Sequence, residues 1–151
     1  VAYLDDDNWW APTHLSDLLA AMEGRTWAYS LRWFAHPANR RPIAIDVWES
    51  VGPGKGVFQP RFGGFVDPNC LMIDKLAAWE CVVLWNMPLR SDRSGMSEDR
   101  NVFNFLRSQS QPGETGEATS FYVINPKDGL HSMRLEHLGE RYDQAGAAPA
   151  T

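Results

Sequence analysis

The stretch WAYSLRWFAHPANRRPIAIDVW, residues 27–48, predicts two strands joined by a reversal. In its first half, large apolar residues occupy every second position: Trp27, Tyr29, Leu31 and Trp33. This alternation is typical of a strand with one buried face. Ile43, Ile45 and Val47 repeat the pattern after the loop at 35–41. We therefore predict a long antiparallel hairpin, and a minority interpretation makes 27–34 helical.

Two amphipathic helices are predicted to accompany this hairpin. Thr13 is the expected N-cap of the first and Gly24 its C-terminal stop. Its apolar positions follow helical spacing and are expected to face the core: Leu15, Leu18, Leu19 and Met22. The second helix begins at Ser97, and its apolar positions are Val102, Phe103, Phe105 and Leu106.

The remaining elements are assigned from shorter patterns. Asp67 followed by Pro68 indicates the start of a short helix reaching Ala77. Residues 80–87 are apolar on both faces, which favours the central strand. Residues 111–117 are expected to form a solvent loop, and 121–124 and 131–135 a second hairpin.

These elements predict an α+β fold with a mainly antiparallel sheet of about five or six strands and two or three helices packed on one face. We expect one globular domain over residues 1–142, with an acidic lead-in at 1–11 and a flexible tail at 143–151.

Composition excludes several classes of function. The net charge is −5 at pH 7, so no general positive field favours a nucleic-acid partner. No apolar run approaches the ~18 residues of a membrane helix, and we expect a soluble protein. Cys70 and Cys81 lack metal or redox spacing and are expected to be reduced and buried, which favours a reducing compartment over secretion.

The glycine-rich stretch GPGKGVFQPRFGGF, residues 52–65, resembles a phosphate-binding loop only superficially. Lys55 is followed by Gly56 and Val57 rather than by Ser or Thr, so the hydroxyl that reaches the metal is missing. Pro60 cannot donate to a ladder. We predict an irregular edge segment, and whether its phenylalanines point into the core or toward a partner stays open.

The sequence offers few candidates for catalysis, and it predicts no metal site and no cofactor. Neither a local nucleophile motif nor a metal-ligand spacing is present. One hypothesis is a general acid–base pair formed by His36 with Asp46 or Glu49. Such a pair would line the mouth of a curved sheet.

The chain is rich in tryptophan, with seven in all, and one small core rarely holds so many. Exposed aromatic residues and arginines are typical of protein interfaces. The residues we predict at an interface are Trp9, Trp10, Trp48, Phe58, Arg61, Phe62, Arg90 and Arg93.

The stretch LWNMPL, residues 84–89, followed by the Ser97 helix and the FYVINPKDG segment, resembles the small subunit of RuBisCO in element order. That resemblance implies a non-catalytic subunit, with 57–65 in the variable hairpin of that family. The early amphipathic helix before a curved sheet is also similar to the cone-shaped NTF2-like fold.

From these observations we predict a non-catalytic interaction domain or accessory subunit of a larger assembly, with a protein partner or a homo-oligomer. The alternative is a small-molecule-binding or enzymatic pocket in an NTF2-like cone fold.

Overall fold

The computed structural model describes residues 1–87 and 98–147. Its strands are β1 (Trp9–Trp10), β2 (Trp27–Ala35), β3 (Pro42–Ile45), β4 (Gly52–Pro53), β5 (Gly64–Phe65), β6 (Leu71–Ile73) and β7 (Gly113–Val123). Its helices are α1 (His14–Ala21), α2 (Gln59–Phe62), α3 (Glu80–Leu84), α4 (Glu98–Gln109), α5 (His131–Leu138) and α6 (Glu140–Gly146), with a 3₁₀ turn at Pro68–Cys70. The fold is therefore α+β, and none of these helices is long and apolar enough to cross a membrane.

Strand β2 is the centre of the main sheet. It pairs antiparallel with β3 and with β6, and parallel with β7 along its other edge. Strand β1 adds to the far side of β7. The predicted hairpin is confirmed by the β2–β3 pairing, and the antiparallel prediction holds in part: three of the four strand pairs described in this sheet are antiparallel, whereas the β2–β7 pair is parallel and makes the sheet mixed.

The predicted solvent loop at 111–117 is wrong, because most of it belongs to β7. The backbone of Gly113 and Glu114 pairs with Ala28 and Tyr29 of β2. Glu114 and Glu117 are exposed, so this half of the strand lacks the apolar alternation that would identify it. Backbone pairing alone makes it a strand.

The prediction of a central strand at 80–87 is also wrong. Residues 80–84 form α3, and the inward positions Ala78, Cys81, Leu84 and Trp85 follow helical spacing. The carboxylate of Asp74 accepts hydrogen bonds from the amides of Leu76 and Ala77, which turns the chain away from the sheet. Strand β6 already occupies the adjoining edge of β2, so no edge is left there for a strand from 80–87.

Two further assignments change near the end of the chain. Residues 131–138 form α5 instead of the second strand of a hairpin, with Arg134 and Leu138 buried one turn apart. Residues 143–146 of the predicted tail lie in α6, where Ala145 is buried.

The short helix predicted after Asp67 is only a 3₁₀ turn, and β6 begins directly after it. Asp67 does cap this turn, because its carboxylate accepts a hydrogen bond from the Asn69 backbone amide at 2.9 Å.

Helices cover both faces of the sheet rather than one. Trp27 packs with Phe103 and Leu106 of α4, whereas its neighbour Ala28 packs with Leu18 of α1. Adjacent residues of a strand point to opposite faces. The core therefore has two main layers, and a third cluster around Phe34, Ile124 and Leu138 closes the other end.

The glycine-rich stretch is irregular, as predicted. Strands β4 and β5 pair as a two-stranded ribbon with α2 between them. Phe65 is buried, whereas Phe58 and Phe62 are half-buried. Gly63 adopts φ +74° at the end of α2, a backbone conformation that favours glycine.

Candidate functional site: a buried arginine–carboxylate network beside a cavity

Arg32 lies in β2 and is buried, with 1% of its surface exposed. Its Nε donates to Asp46 Oδ2 at 2.8 Å, and its Nη2 donates to Glu49 Oε2 at 2.9 Å. Its Nη1 donates to Asp67 Oδ2. Burial opposes the charge, but the three carboxylates outweigh it and raise the pKa of Arg32 above its usual value. One guanidinium thus fixes two separate segments, the turn after β3 and the Asp67 turn, to strand β2.

Asp46 directly follows β3, and its carboxylate holds the turn after the strand. Its Oδ1 accepts from the amides of Trp48 and Glu49 at 2.9 and 2.7 Å, and its Oδ2 accepts from the Ser50 amide at 3.0 Å. Burial alone would raise the pKa of Asp46, but Arg32 and these amides hold it below the usual range. This turn explains why β3 is short. It also brings Glu49 within hydrogen-bonding distance of Arg32.

Glu49 bridges two arginines. Arg134 of α5 donates from Nε to Glu49 Oε1 at 2.6 Å and from Nη2 to Glu49 Oε2 at 2.8 Å, which is a bidentate pair. The Nη1 of Arg134 donates to Asp128 Oδ2 at 2.8 Å. The network therefore joins β2, the turn after β3 and helix α5.

A partly enclosed cavity of about 270 Å³ lies beside this network. Its lining combines charged and aromatic side chains: Arg32, Glu49, Phe58, Phe65, Asp67, Asp99, Arg100, Tyr122, Asp128, Leu130 and Arg134. Tyr122 lies beneath the Arg32 guanidinium, with 4.2 Å between its ring centroid and Arg32 Cζ. The salt bridges hold several of these walls in place.

Arg100, in the first turn of α4, differs from the other two arginines of the lining. Its Cζ lies 3.9, 4.5 and 4.3 Å from the ring centroids of Phe58, Phe62 and Phe65. It is 9% exposed, and its Nη1 has no hydrogen-bond partner within the described part of the chain. Burial lowers the pKa of Arg100, while Asp99 and Glu49 oppose that shift.

Asp99 also lines the cavity next to Arg100. Its Oδ1 accepts from the Arg100 amide at 2.7 Å. Burial raises the pKa of Asp99, and the Arg100 amide and guanidinium only partly oppose this. The first turn of α4 therefore brings a carboxyl group and a guanidinium to the same cavity.

The residues of the predicted acid–base pair make different contacts. Asp46 and Glu49 both bind Arg32, and Glu49 lines the cavity. His36 instead contacts Tyr142 of α6, with ring centroids 4.6 Å apart, and its Nδ1 accepts from the Ala38 amide at 3.2 Å. The two carboxylates thus form salt bridges with Arg32, whereas His36 contacts Tyr142 and the Ala38 backbone.

The predicted interface residues lie in different places. Trp9 stacks on Phe121, Trp10 on His14 and Trp48 on His137, and all three tryptophans are half-buried. Phe58 and Phe62 pack on Arg100, and Arg61 is exposed beside Phe62. Arg90 and Arg93 lie outside the described residues.

Sequence reasoning missed Arg32, Asp67, Arg100, Asp128 and Arg134. The signal for Arg32 was available, because Ala28, Phe34 and Ala35 are apolar on both sides of it and indicate a strand buried on both faces. The other four come from loops and helices that no short motif connects.

Comparison with known proteins gives no family for this chain, and the described residues form no group of metal ligands. No family model, curated protein or solved structure matches this chain. Within residues 1–87 and 98–147, no three His, Cys, Asp or Glu side chains are grouped to hold a metal ion. The function of the site must therefore follow from its own chemistry.

Proposed function

We propose that this domain binds a small polar molecule in the cavity beside the Arg32 network. The observation that carries the proposal is Arg100, a buried guanidinium that lines the cavity and whose Nη1 has no acceptor within the described part of the chain. A buried donor left unsatisfied costs about 1–3 kcal/mol, and more when it is charged. Native proteins keep such groups mainly where a ligand, an ion or water satisfies them.

The surroundings of Arg100 support binding more than a purely structural role. Arg32 and Arg134 already stabilise the fold through five salt bridges with acids of the chain. Arg100 is held instead by aromatic faces, which fix its position without using its hydrogen-bond donors. This leaves the group available to an incoming acceptor.

A thermal-shift screen of the purified chain tests this proposal. Its panel contains amino acids, carboxylates, amines, phosphates and sugars. A ligand of the cavity should raise the Tm of the wild type but not that of Leu130→Trp, in which the larger ring fills the cavity. Met133→Trp, an exposed position three residues along, is the matched control and should keep the shift. A panel without any shift, or shifts that persist in Leu130→Trp, would contradict the proposal.

A second candidate function is an interaction domain or accessory subunit, which the resemblance to the RuBisCO small subunit also implies. An exposed apolar group around α3 supports it: Leu76, Trp79, Val82, Val83 and Met87, with Leu76 84% and Trp79 60% exposed. Single exposed apolar residues are ordinary on protein surfaces, but several within one short segment, tryptophan among them, are typical of interfaces.

Light scattering after size exclusion tests this second candidate. Trp79→Glu should weaken any self-association or partner binding, whereas Leu19→Glu, exposed on α1, should not. A monomer that forms no complex with proteins of its native extract would argue against it.

A further inference from the structure

We infer that the ligand of this cavity is a small zwitterion of the α-amino-acid type, with its carboxylate on Arg100 and its ammonium group toward Asp128. This inference rests on the proposed function and adds the charge pattern of the ligand. It follows from which polar groups of the cavity are satisfied and which are not.

The first step concerns the anionic end of the ligand. Arg32 donates to Asp46, Glu49 and Asp67. Arg134 donates to Glu49 and Asp128. Arg100 alone among the three arginines of the lining has a buried nitrogen that bonds to nothing in the described part of the chain. A planar guanidinium matches the two oxygens of a carboxylate.

The second step concerns the net charge of the ligand. Four carboxylates form salt bridges in the network beside the cavity, against three guanidinium groups in the lining; the carboxylates are Asp46, Glu49, Asp67 and Asp128. A simple anion would add to this negative excess, and a phosphate dianion would add more. An ammonium group on the same molecule offsets the charge. Among the carboxylates of the network, Asp128 is the most exposed, at 29%, and can accept from that ammonium.

The third step concerns size and polarity. The volume of about 270 Å³ lies below the ~300–1,000 Å³ typical of pockets for drug-sized ligands. Most of the lining is polar, and Phe58, Phe65 and Leu130 give it a small apolar part beside Arg100. A small amino acid such as leucine fits this volume and the charge balance of the lining.

Titration calorimetry with three compounds of one skeleton tests the inference on the wild-type chain. These compounds are leucine, 4-methylpentanoate, which lacks the ammonium, and 3-methylbutylamine, which lacks the carboxylate. Leucine should bind about tenfold or more tightly than either, because 3-methylbutylamine leaves Arg100 without an acceptor and 4-methylpentanoate brings a negative charge with nothing to offset it. Inorganic phosphate should bind more weakly still.

Leucine binding by variants of Arg100 is the second test of the inference. Arg100→Gln should weaken leucine binding by about ten- to a hundredfold, and Arg100→Lys should weaken it less. Circular dichroism shows whether each variant is folded. If Arg100→Gln does not fold, Arg100→Lys and the three compounds on the wild type still decide the matter.

The outcomes separate the two proposals. The inference is overturned if 4-methylpentanoate or phosphate binds as tightly as leucine, or if a folded Arg100→Gln binds leucine unchanged. It is also overturned if no amino acid binds while a sugar, amine or phosphate does, and the proposed function then stands. If no compound of the panel binds in the cavity, the proposed function fails together with the inference.

Discussion

At Arg32, three carboxylates from the β3 turn and the Asp67 turn share one guanidinium that is almost fully buried. Taking charges out of water is costly, and the pairing repays that cost only while every partner is present. The Arg32→Met variant keeps much of the side-chain volume but leaves the acids without their cation. We expect it to lower the free energy of unfolding by about 3–5 kcal/mol in urea denaturation at pH 7.

The exposed pair Lys55–Glu114 is the control for this prediction. Its side chains are 55% and 48% exposed, and its N–O distance is 3.1 Å. Lys55→Met should change stability by no more than about 0.5 kcal/mol. If Arg32→Met were no more damaging than Lys55→Met, the network would not hold these segments together.

At His14, burial lowers the pKa to about 4, and Asp17 opposes the shift only in part. The unfolded chain takes up this proton near pH 6.5, whereas the folded chain resists it down to about 4. The contribution of His14 to stability is therefore full above pH 6.5 and is lost as the pH falls from 6.5 to 4, with a slope of at most about 1.4 kcal/mol per pH unit.

His14→Gln should remove that part of the pH dependence. Urea unfolding of both chains at several pH values between 7.5 and 4.5 measures it. Equal slopes for wild type and variant would show that His14 is not held neutral in the fold.

At the scale of the elements, α1 crosses the beginning of β7 at very short range. A Cβ on Gly113 would lie 1.8 Å from the Ala21 carbonyl oxygen, which no side-chain rotation can relieve. Gly113→Ala should destabilise the chain by about 3 kcal/mol, at the upper end of the usual cost of overpacking.

Gly129 provides the matched control, because a Cβ there meets nothing within 4 Å. Gly129→Ala should be neutral or stabilise by up to ~1 kcal/mol. Thermal unfolding measures both variants. A Gly113→Ala chain as stable as Gly129→Ala would mean that α1 does not pack on β7 in this way.

The sequence predicted α1, β2, β3 and α4 because each shows a strong periodic pattern or a helix-start signal. The exact face of α1 was not predictable, since Leu18 is buried whereas Leu15 and Leu19 are exposed, at 44% and 63%. Because all three residues are leucines, their hydrophobicity does not indicate which of them packs on the sheet. Thr13 stands before the helix but makes no capping hydrogen bond with its side chain.

The missed elements share a physical cause, which is that tertiary contacts decide them. Strand β7 begins with polar residues and is fixed by pairing to β2. Short apolar runs such as 80–87 fit either a strand or a helix. The candidate site escaped prediction for the same reason, since Asp67, Arg100 and Arg134 are far apart in the sequence and line one cavity only in the folded chain.

At the scale of the whole molecule, Glu49 links the sheet to the C-terminal helices through Arg32 and Arg134. Residues that share one partner in a network have effects that do not add. We expect a double-mutant cycle of Arg32→Met and Arg134→Met to give a coupling energy of about 0.5–3 kcal/mol by urea denaturation. If the effects of the two substitutions add within about 0.3 kcal/mol, Glu49 does not couple the sheet to the C-terminal helices.

The central claim is that the cavity beside this network binds a small zwitterionic amino acid through Arg100. A ¹H–¹⁵N NMR titration of the wild-type chain with leucine tests it most directly, because it reports the place of binding as well as its occurrence. The account predicts saturable shifts concentrated at Phe58, Phe65, Arg100 and Leu130. A titration in which these signals stay still, or in which the shifts lie elsewhere on the chain, would contradict it.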